Sequence, residues 1–310
     1  MTPAKLNLYL AMYPYSGNGS SSAEAPCIRS WFGRTLLVAK ADERVGAIEW
    51  RDFCDTPITM TRNQSVQEAR KAGADVLIMC DSDQFPDYEL GRGDATQKPF
   101  FQSSFDFLYA RRMKGQVTVI GAPYCGPPPH ENVYVFKPAT YESEHPGVDH
   151  RVEQFSREEA AIRAGFEEVI ALPTGLIMFD MKVFDHIPHP YFDYEWEGDG
   201  PPCQHCGQPK PGPRAQKAST EDVVATRDMA MICCTKLGYN PVYVNWDAWA
   251  GHWKPKCVGK PRIMSTDMVS GKYREAILHS QPANVKRVYF RASDNLNGEY
   301  FQPSDPVAVG

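Results

Sequence analysis

An unbroken apolar segment followed at once by two carboxylates constrains the fold of this chain more than any other feature. Segment 74–80 has the sequence ADVLIMC, and Asp81, Ser82 and Asp83 follow it directly. A short run that is apolar at nearly every position is typical of a strand buried on both faces of a parallel sheet. Side chains just after such a strand lie at the carboxyl edge of the sheet, where α/β proteins bind ligands. The segment therefore predicts an α/β fold with a site beside the two carboxylates.

Strand-like and helix-like segments alternate along the first half of the chain. The patterns predict strands over 6–12, 45–50 and 117–122, and helices over 27–39, 61–71 and 101–114. Thr61 and Gln64 have the spacing of a capping box at the start of the second helix, and Gly73 is placed to end it. This alternation predicts a Rossmann-like α/β fold with a mixed, mostly parallel sheet flanked by helices.

The second half is less regular. Its patterns predict a helix over 155–165, strands over 168–172, 176–179, 191–196 and 242–245, and a helix that Ser219 caps and Gly238 ends. The segment 198–217 is rich in proline and glycine and holds no regular element. We expect one domain over 1–255 that includes 198–217 as a long loop, and a C-terminal extension over 256–310.

Composition excludes several classes of protein. The 310 residues carry 33 basic and 38 acidic side chains, and this net charge of −5 argues against a protein that coats nucleic acid through bulk charge. No run approaches the roughly 18 apolar residues of a membrane span, so we expect no membrane partner. Residues 1–10 lack a signal-peptide core. These features predict a cytoplasmic protein whose nine cysteines are mostly reduced thiols.

The two carboxylates after the apolar segment suit a metal ion. Asp81 and Asp83 are two positions apart and can face one divalent cation. Oxygen ligands favour magnesium or manganese, and such an ion would neutralise a diphosphate leaving group. The alternative is a solvated acidic turn, because Asp-x-Asp is a common sequence. The position after a buried strand favours the metal.

Two later features carry candidate site residues. Glu221 and Asp222 open a predicted helix, where carboxylates favour the positive end of the helix dipole. A capping box is the structural alternative for Asp222. His252 follows the strand predicted over 242–245. A lone histidine is more often a packing or surface residue than a ligand, so its role depends on the other motifs.

The loop 198–217 contains half of a zinc-binding pattern. Cys203 and Cys206 have the Cys-x-x-Cys spacing, with His205 between them and Gly207 after them. Two thiolates at this spacing can bind one zinc ion, but a structural site needs two further ligands. Free thiols in a loop are the alternative to structural zinc.

In their order and spacing these motifs resemble the GT-A family of nucleotide-sugar-dependent glycosyltransferases. The order is the strand with Asp-x-Asp, then 173–176 with the sequence PTGL, then Glu221-Asp222, then Gly251-His252. The layout of the last two with Gly238 is similar to polypeptide N-acetylgalactosaminyltransferases and mannosylglycerate synthase. The stretches 62–66 and 83–86 also resemble GT-A proteins encoded by bacteriophages. The resemblance covers roughly residues 5 to 255 and implies a GT-A domain.

The resemblance implies the ligands and the residues that hold them. It implies a nucleoside-diphosphate sugar, UDP-sugar by default, and manganese or magnesium held by Asp83 and His252, with Asp81 on the ribose or the metal. Glu221 or Asp222 would meet sugar or acceptor hydroxyls, and in inverting relatives such a carboxylate is the general base. A metal histidine is more frequent among retaining members, which favours retention. The donor-binding residues it implies are Tyr13, Pro14, Arg62, Asp75, Asp81, Ser82, Thr174 and Gly175.

The acceptor is the least constrained part of the prediction, and the resemblance implies only that the loop 198–217 lies on the acceptor side. Scattered basic residues, with the bacteriophage resemblance, predict a groove for DNA carrying a hydroxymethylated pyrimidine that is flipped out of the duplex; they are Arg111, Arg112, Lys114, Lys210, Arg214, Lys217, Lys260, Arg262, Lys272, Arg274, Lys286 and Arg287. Saccharides, small metabolites and protein side chains are competing acceptors. A non-catalytic, zinc-containing binding module and a nucleotidyltransferase are the alternatives to a glycosyltransferase.

Overall fold

The computed structural model describes residues 5–14, 25, 27–53, 57–92, 95–126, 132–138, 152–197 and 216–253. Its helices are α1 (Ile28–Ala41), α2 (Ile58–Lys71), α3 (Phe100–Arg112), α4 (Arg157–Ala161) and α5 (Glu221–Leu237), with a 3-10 helix over Met181–Asp185. Its strands are β1 (Leu6–Tyr13), β2 (Val45–Asp52), β3 (Val76–Asp81), β4 (Gln84–Phe85), β5 (Val119–Gly121), β6 (Phe136–Pro138), β7 (Val152–Gln154), β8 (Phe166–Glu168), β9 (Leu176–Asp180), β10 (Glu195–Glu197), β11 (Gln216–Ser219), β12 (Val242–Asn245) and β13 (Gly251–His252).

Seven strands form one mixed sheet in the order β2-β1-β3-β9-β5-β12-β8. Strands β2, β1 and β3 are mutually parallel, and β5 is parallel to β12. Strand β9 runs antiparallel to both β3 and β5, and β8 runs antiparallel to β12. Five of the seven strands therefore point the same way. This confirms the predicted fold class, an α/β domain with a mixed, mostly parallel sheet flanked by helices.

Alternate side chains of each central strand pack on opposite faces of the sheet. In β3, Leu77 and Met79 belong to one apolar cluster, and Val76, Ile78 and Cys80 belong to the other. Helices α2 and α5 contribute to the first cluster, and α1 and α3 contribute to the second. Both faces are covered, which explains why β3 has no polar residue in its interior.

Local signals place several element ends correctly and others wrongly. Gly238 ends α5 with a φ of 78°, as its position predicts. The predicted start of α2 at Thr61 is wrong, because the helix begins at Ile58 after an extended Pro57. The predicted cap of α5 moves from Ser219 to Thr220. The segment 168–172 is a strand only at its first residue, since β8 covers Phe166–Glu168.

Contacts between Cα atoms divide the chain into two units. The first comprises Met1–Glu195 and Ser219–Pro255 and contains the seven-stranded sheet. The second comprises Trp196–Ala218 and Lys256–Gly310, of which the structure describes parts of the paired strands β10 and β11. The half zinc pattern of Cys203, His205 and Cys206 lies outside the described residues, and so does the extension 256–310. None of the described helices has the length and apolar character that crossing a bilayer requires.

Candidate active site

The site lies at one edge of the sheet, where two parallel strands end beside a reversed one. Tyr13 and Asp81 are register partners at the carboxyl ends of β1 and β3. The Ser82 N–H donates to the Tyr13 carbonyl at 3.3 Å, and the Asp81 N–H donates to the Gly175 carbonyl at 2.8 Å. Because β9 is antiparallel to β3, it enters the sheet where β3 leaves it. The segment before β9 is therefore brought to the edge that carries the two carboxylates.

A cavity of about 510 Å³ opens at this edge. Most predicted site residues line it, although they come from separate parts of the chain. The lining residues are Tyr13, Pro14, Pro57, Ile58, Arg62, Asp81, Asp83, Gln84, Tyr124, Thr220, Glu221, Asp222 and His252. The volume is within the range of sites that bind small molecules and cofactors.

Asp83 and His252 face each other in this cavity. His252 Nε2 lies 3.5 Å from Asp83 Oδ2, and the two side chains are 13% and 7% exposed. Strand β13 holds the histidine there by pairing with β4, which follows Asp83 directly. His252 Nδ1 lies 3.1 Å from the Cys125 carbonyl oxygen. A carbonyl only accepts hydrogen bonds, so Nδ1 carries a proton and Nε2 is the ring nitrogen that faces Asp83.

This pair meets the requirements of a shared divalent cation. Ligand distances of roughly 2.0–2.2 Å place two ligands of one ion about 3–3.5 Å apart, and the observed separation is 3.5 Å. A histidine that donates its other nitrogen to a backbone carbonyl is the usual form of a metal ligand. Among the described residues no group of three or more His, Cys, Asp or Glu side chains stands at metal-binding spacing. An ion held by this pair would need further ligands from elsewhere, and magnesium commonly takes them from phosphate oxygens and water.

Arg62 is a buried cation on the wall of the cavity. Its side chain is 4% exposed; Nη2 donates to both carboxylate oxygens of Asp81 at 3.1 Å, and Nε lies 3.5 Å from Glu221 Oε1. Burial alone lowers the pKa of Arg62, but Asp81, Glu221 and Asp222 outweigh burial and raise it. Within the described part of the chain, Nε and Nη1 have no hydrogen-bond partner. Arg62 therefore has donors to offer an anion in this cavity.

The carboxyl group of Asp81 has an unusual environment. Desolvation by burial is the largest influence and raises its pKa to about 6, with Arg62 opposing and the neighbouring carboxylates adding to the rise. Asp83, Asp222 and Glu221 all contribute in that direction. Four carboxylates around one arginine give the site an excess of negative charge, which a bound cation would relieve.

Helix α5 begins at the cavity with its two acidic residues. Glu221 is 7% exposed and contacts Arg62, and Asp222 lines the cavity one residue further along. The N-cap Thr220 makes no side-chain capping hydrogen bond, so the capping-box alternative for Asp222 is wrong. The two carboxylates lie in the first turn of α5, where the helix dipole stabilises negative charge.

Three predicted donor-binding residues lie beneath the cavity rather than on its wall. Ser82 is 1% exposed and Thr174 is fully buried, and within the described residues neither hydroxyl oxygen has a hydrogen-bond partner. Gly175 is hemmed in, because a Cβ there would lie 2.6 Å from Tyr124 Oη and 2.7 Å from Gln84 Nε2. A side chain at 175 would therefore clash with Tyr124 and Gln84, while the expectation that this glycine lets the backbone approach the donor sugar stays a prediction.

Asp75 is not brought to this site, which corrects its placement near the nucleotide. It precedes β3, at the opposite end of the strand from Asp81. Its Oδ1 accepts from Arg112 Nη2 at 2.5 Å, and its Oδ2 accepts from the Asn7 N–H at 2.9 Å. The strand separates the two carboxylates by roughly 20 Å at about 3.3 Å per residue. Asp75 is a structural residue of the far edge.

Two of the basic residues assigned to a DNA groove are engaged inside the fold. Arg112 bonds Asp75 and Asp180. Arg111 donates to Thr118 Oγ1 at 3.2 Å, and its guanidinium lies 4.7 Å from the centre of the Tyr243 ring. Arg112 is thus paired with carboxylates of the fold, Arg111 packs on an aromatic ring, and the DNA groove stays a prediction. Of the other residues in that set, Lys114 is described and exposed on the surface, while the side chains of the rest lie outside the described residues.

Sequence reasoning missed two polar residues of the cavity, Gln84 and Tyr124. Gln84 follows Asp83 directly, and Tyr124 follows β5 at the same edge of the sheet as Asp81. Both are almost fully buried, at 1% and 5% exposure. The available signal was position, because residues just after a central strand of an α/β sheet are site candidates.

Comparison with known proteins adds little to this picture. No protein-family model matches the sequence, and no curated protein matches it significantly. Among solved structures, A197 from STIV has a TM-score of 0.44 at 13% identity, with 84% of this chain and 99% of that chain covered. GalNAc-T7 with UDP, GalNAc and Mn²⁺ has a TM-score of 0.36 at 10% identity, with 81% of this chain and 45% of that chain covered. Likenesses this weak carry no functional assignment, which depends on the geometry of the site itself.

Proposed function

We propose that this chain is a metal-dependent glycosyltransferase that moves a sugar from a nucleoside-diphosphate sugar to a hydroxyl acceptor. The observation that carries the proposal is the combination, in one cavity, of the Asp83–His252 pair and the buried Arg62 with unused donors. A diphosphate needs both cationic donors and a divalent ion, and the cavity offers a place for each. The order of the sequence motifs, which resembles GT-A enzymes, supports the same function.

Most of the residues that line the cavity have a place in this proposal. Asp83 and His252 would hold a manganese or magnesium ion, which supplies neutralisation of charge on the leaving diphosphate. Arg62 donates its remaining N–H groups to the nucleotide or its phosphates, and Glu221 and Asp81 hold its guanidinium in place. Tyr13, Pro14, Pro57 and Ile58 provide a largely apolar wall for the nucleoside.

Asp222 is the carboxylate we assign to sugar or acceptor hydroxyls. It lines the cavity on the first turn of α5, and its Oδ1 accepts from the Val223 N–H at 2.9 Å. A carboxylate there can accept a hydrogen bond from a hydroxyl and orient it toward the anomeric carbon. Whether the reaction retains or inverts configuration is read from the product by NMR, and the resemblance through His252 favours retention.

The acceptor is proposed only as a hydroxyl-bearing molecule. Hydroxymethylated DNA stays the first candidate from the bacteriophage resemblance, although Arg111 and Arg112 no longer support it. The acceptor screen therefore includes saccharides and small alcohols on equal terms.

The test is release of nucleoside diphosphate from a panel of nucleotide sugars, with manganese and with chelator. We expect metal-dependent release from one donor, because water can replace the acceptor slowly in such sites. Failure to release diphosphate from any donor, together with no thermal stabilisation by nucleotide plus manganese, would overturn the proposal and favour a non-catalytic binding module. The matched control for His252→Ala is His189→Ala, which changes an exposed histidine that does not line the cavity.

A further inference from the structure

Gln84 is a buried amide that the proposed chemistry does not use. It is 1% exposed, lines the cavity and directly follows Asp83. Its backbone is fixed because it pairs with His252 in the β4–β13 ladder. Within the described residues its Oε1 has no hydrogen-bond partner. A buried amide oxygen without a partner costs free energy, so a ligand group that pairs with it has a clear gain to offer.

A second neutral polar group converges on the same place. Measured from the position that a Cβ would take on Gly175, Gln84 Nε2 lies 2.7 Å away and Tyr124 Oη lies 2.6 Å away. An amide and a phenol can each donate and accept, and so can a hydroxyl group. Carboxylates dominate the rest of this wall, namely Asp81, Asp83, Glu221 and Asp222. Their charge disfavours a further anionic group on the ligand.

We propose that Gln84 is a specificity-determining residue whose amide binds a hydroxyl of an uncharged donor sugar, with Tyr124 beside it and Gly175 keeping the space for both. This inference rests on the proposed glycosyltransferase function and deepens it. Gln84 directly follows Asp83, one of the two residues that would hold the metal, and the sugar is the part of the donor attached to the diphosphate at that place, so we assign a hydroxyl of this sugar to the amide. The lack of a side chain at 175 is a condition for the amide to occupy its position.

The experiment compares a nucleotide with its sugar-bearing forms by titration calorimetry in manganese. The probes are UDP, UDP-glucose and UDP-glucuronic acid, or the guanosine series if GDP binds more tightly. For Gln84→Leu we expect roughly tenfold weaker binding of the uncharged nucleotide sugar and unchanged binding of the nucleoside diphosphate. Wild-type protein should bind UDP-glucose more tightly than UDP-glucuronic acid, since the second carries an extra carboxylate.

The same substitution elsewhere provides the control. Gln102→Leu changes an exposed glutamine on α3 and should alter neither dissociation constant. Gln84→Leu also changes a residue of the β4–β13 pair, so a second variant is needed. Gly175→Ala keeps the Gln84 amide but places a methyl group within 2.7 Å of the present positions of Gln84 Nε2 and Tyr124 Oη. It should weaken the sugar-bearing ligand selectively, and the double variant should lose less than the product of the two single effects.

Three results would overturn the inference. Equal weakening of nucleoside diphosphate and nucleotide sugar would make Gln84 a general support of the cavity. If Gln84→Leu weakens the binding of neither ligand, Gln84 does not contact the bound ligand. Tighter binding of UDP-glucuronic acid than of UDP-glucose would contradict the uncharged sugar. Wild-type protein that binds no nucleoside diphosphate with manganese would instead overturn the proposed function and this inference with it.

Discussion

The two ends of strand β3 carry the same chemical parts in opposite states. At each end an aspartate contacts an arginine that is largely buried, Asp81 with Arg62 and Asp75 with Arg112. Arg112 uses both Nη1 and Nη2, which donate to the carboxylates of Asp75 and Asp180 and to the Asp75 carbonyl. Arg62 hydrogen-bonds Asp81 through Nη2 alone, its Nε lies 3.5 Å from Glu221 Oε1, and within the described residues neither Nε nor Nη1 has a hydrogen-bond partner. The same two residue types therefore form an ion-pair cluster at the Asp75 end of β3 and part of the cavity wall at the Asp81 end. We call the Asp75 end the closed end and the Asp81 end the open end.

The largest expected effect separates the carboxylates at the two ends. Asp83→Ala and His252→Ala should each lower metal-dependent release of nucleoside diphosphate by roughly 100- to 1,000-fold or more, because charge on the leaving group loses its stabilisation. Asp75→Ala should keep the turnover of the wild-type protein while lowering its unfolding midpoint. Circular dichroism of all three variants checks that the fold persists. Loss of turnover in Asp75→Ala, with the fold intact, would contradict the purely structural role of Asp75.

Replacing Arg112 or Arg62 by methionine should lower the free energy of unfolding by different amounts. Arg112→Met should cost about 3–5 kcal/mol of unfolding free energy, because it leaves the carboxylate of Asp180 buried without its partner. Asp180 is 1% exposed. Arg62→Met should cost less, since Asp81 lines an open cavity and can take up water or a proton, but should weaken binding of UDP with manganese roughly 10- to 100-fold. Urea denaturation measures the free energy of unfolding, and calorimetry measures the dissociation constant of UDP with manganese. A larger loss of stability in Arg62→Met than in Arg112→Met would contradict the comparison between the two ends of β3.

Ligand binding should stabilise only protein that keeps Asp83 at the cavity end of β3. Nucleoside diphosphate and manganese at about 100 times the dissociation constant should add roughly 2.7 kcal/mol, or several degrees in Tm. Chelator should remove this gain, and Asp83→Ala should lack it. Differential scanning fluorimetry measures the increase in Tm. Asp75→Ala is the matched carboxylate control, and it should show the same increase as the wild-type protein.

The smallest effect is a pH dependence at the closed end. Burial raises the pKa of Asp180 above its usual range, while Arg112 and Lys182 oppose and Asp75 adds to the rise. The folded protein therefore keeps a proton on Asp180 at pH values where the unfolded chain has lost it. Stability from this group is present at low pH and is lost as pH rises through the raised pKa. Urea midpoints from about pH 4 to pH 7 should fall more for wild-type protein than for Asp180→Asn.

Sequence patterns predicted the fold and the open end of β3 because both signals are local. The apolar run before Asp81 identifies a doubly covered strand, and the strand's end places Asp81 and Asp83 at the edge of the sheet. The failures come from competing local signals and from long-range pairing. Thr61 and Gln64 match a capping pattern inside a helix that Pro57 already starts. Nothing near Asp75 in sequence reports its pairing with Arg112, 37 residues away.

Gln84 shows most clearly what a single sequence does not reveal. Its position after Asp83 was visible, but its orientation depends on pairing between β4 and β13, which are more than 160 residues apart along the chain. Its polar surroundings depend further on Tyr124 and on the missing side chain of Gly175. These are products of tertiary structure, so the amide became a candidate only once three distant segments were in place.

The reversed strand β9 has a further consequence for how the molecule moves. It begins one residue after Gly175, under the cavity, and ends at Asp180 in the ion-pair cluster with Arg112. Flanked by β3 and β5, it ties the cavity floor to the far edge through continuous ladders. Amide protons of the floor, such as that of Asp81 bonded to the Gly175 carbonyl, should exchange with deuterium only when the whole domain opens. We therefore expect Asp81 and the start of β9 to move least when a ligand binds in the cavity.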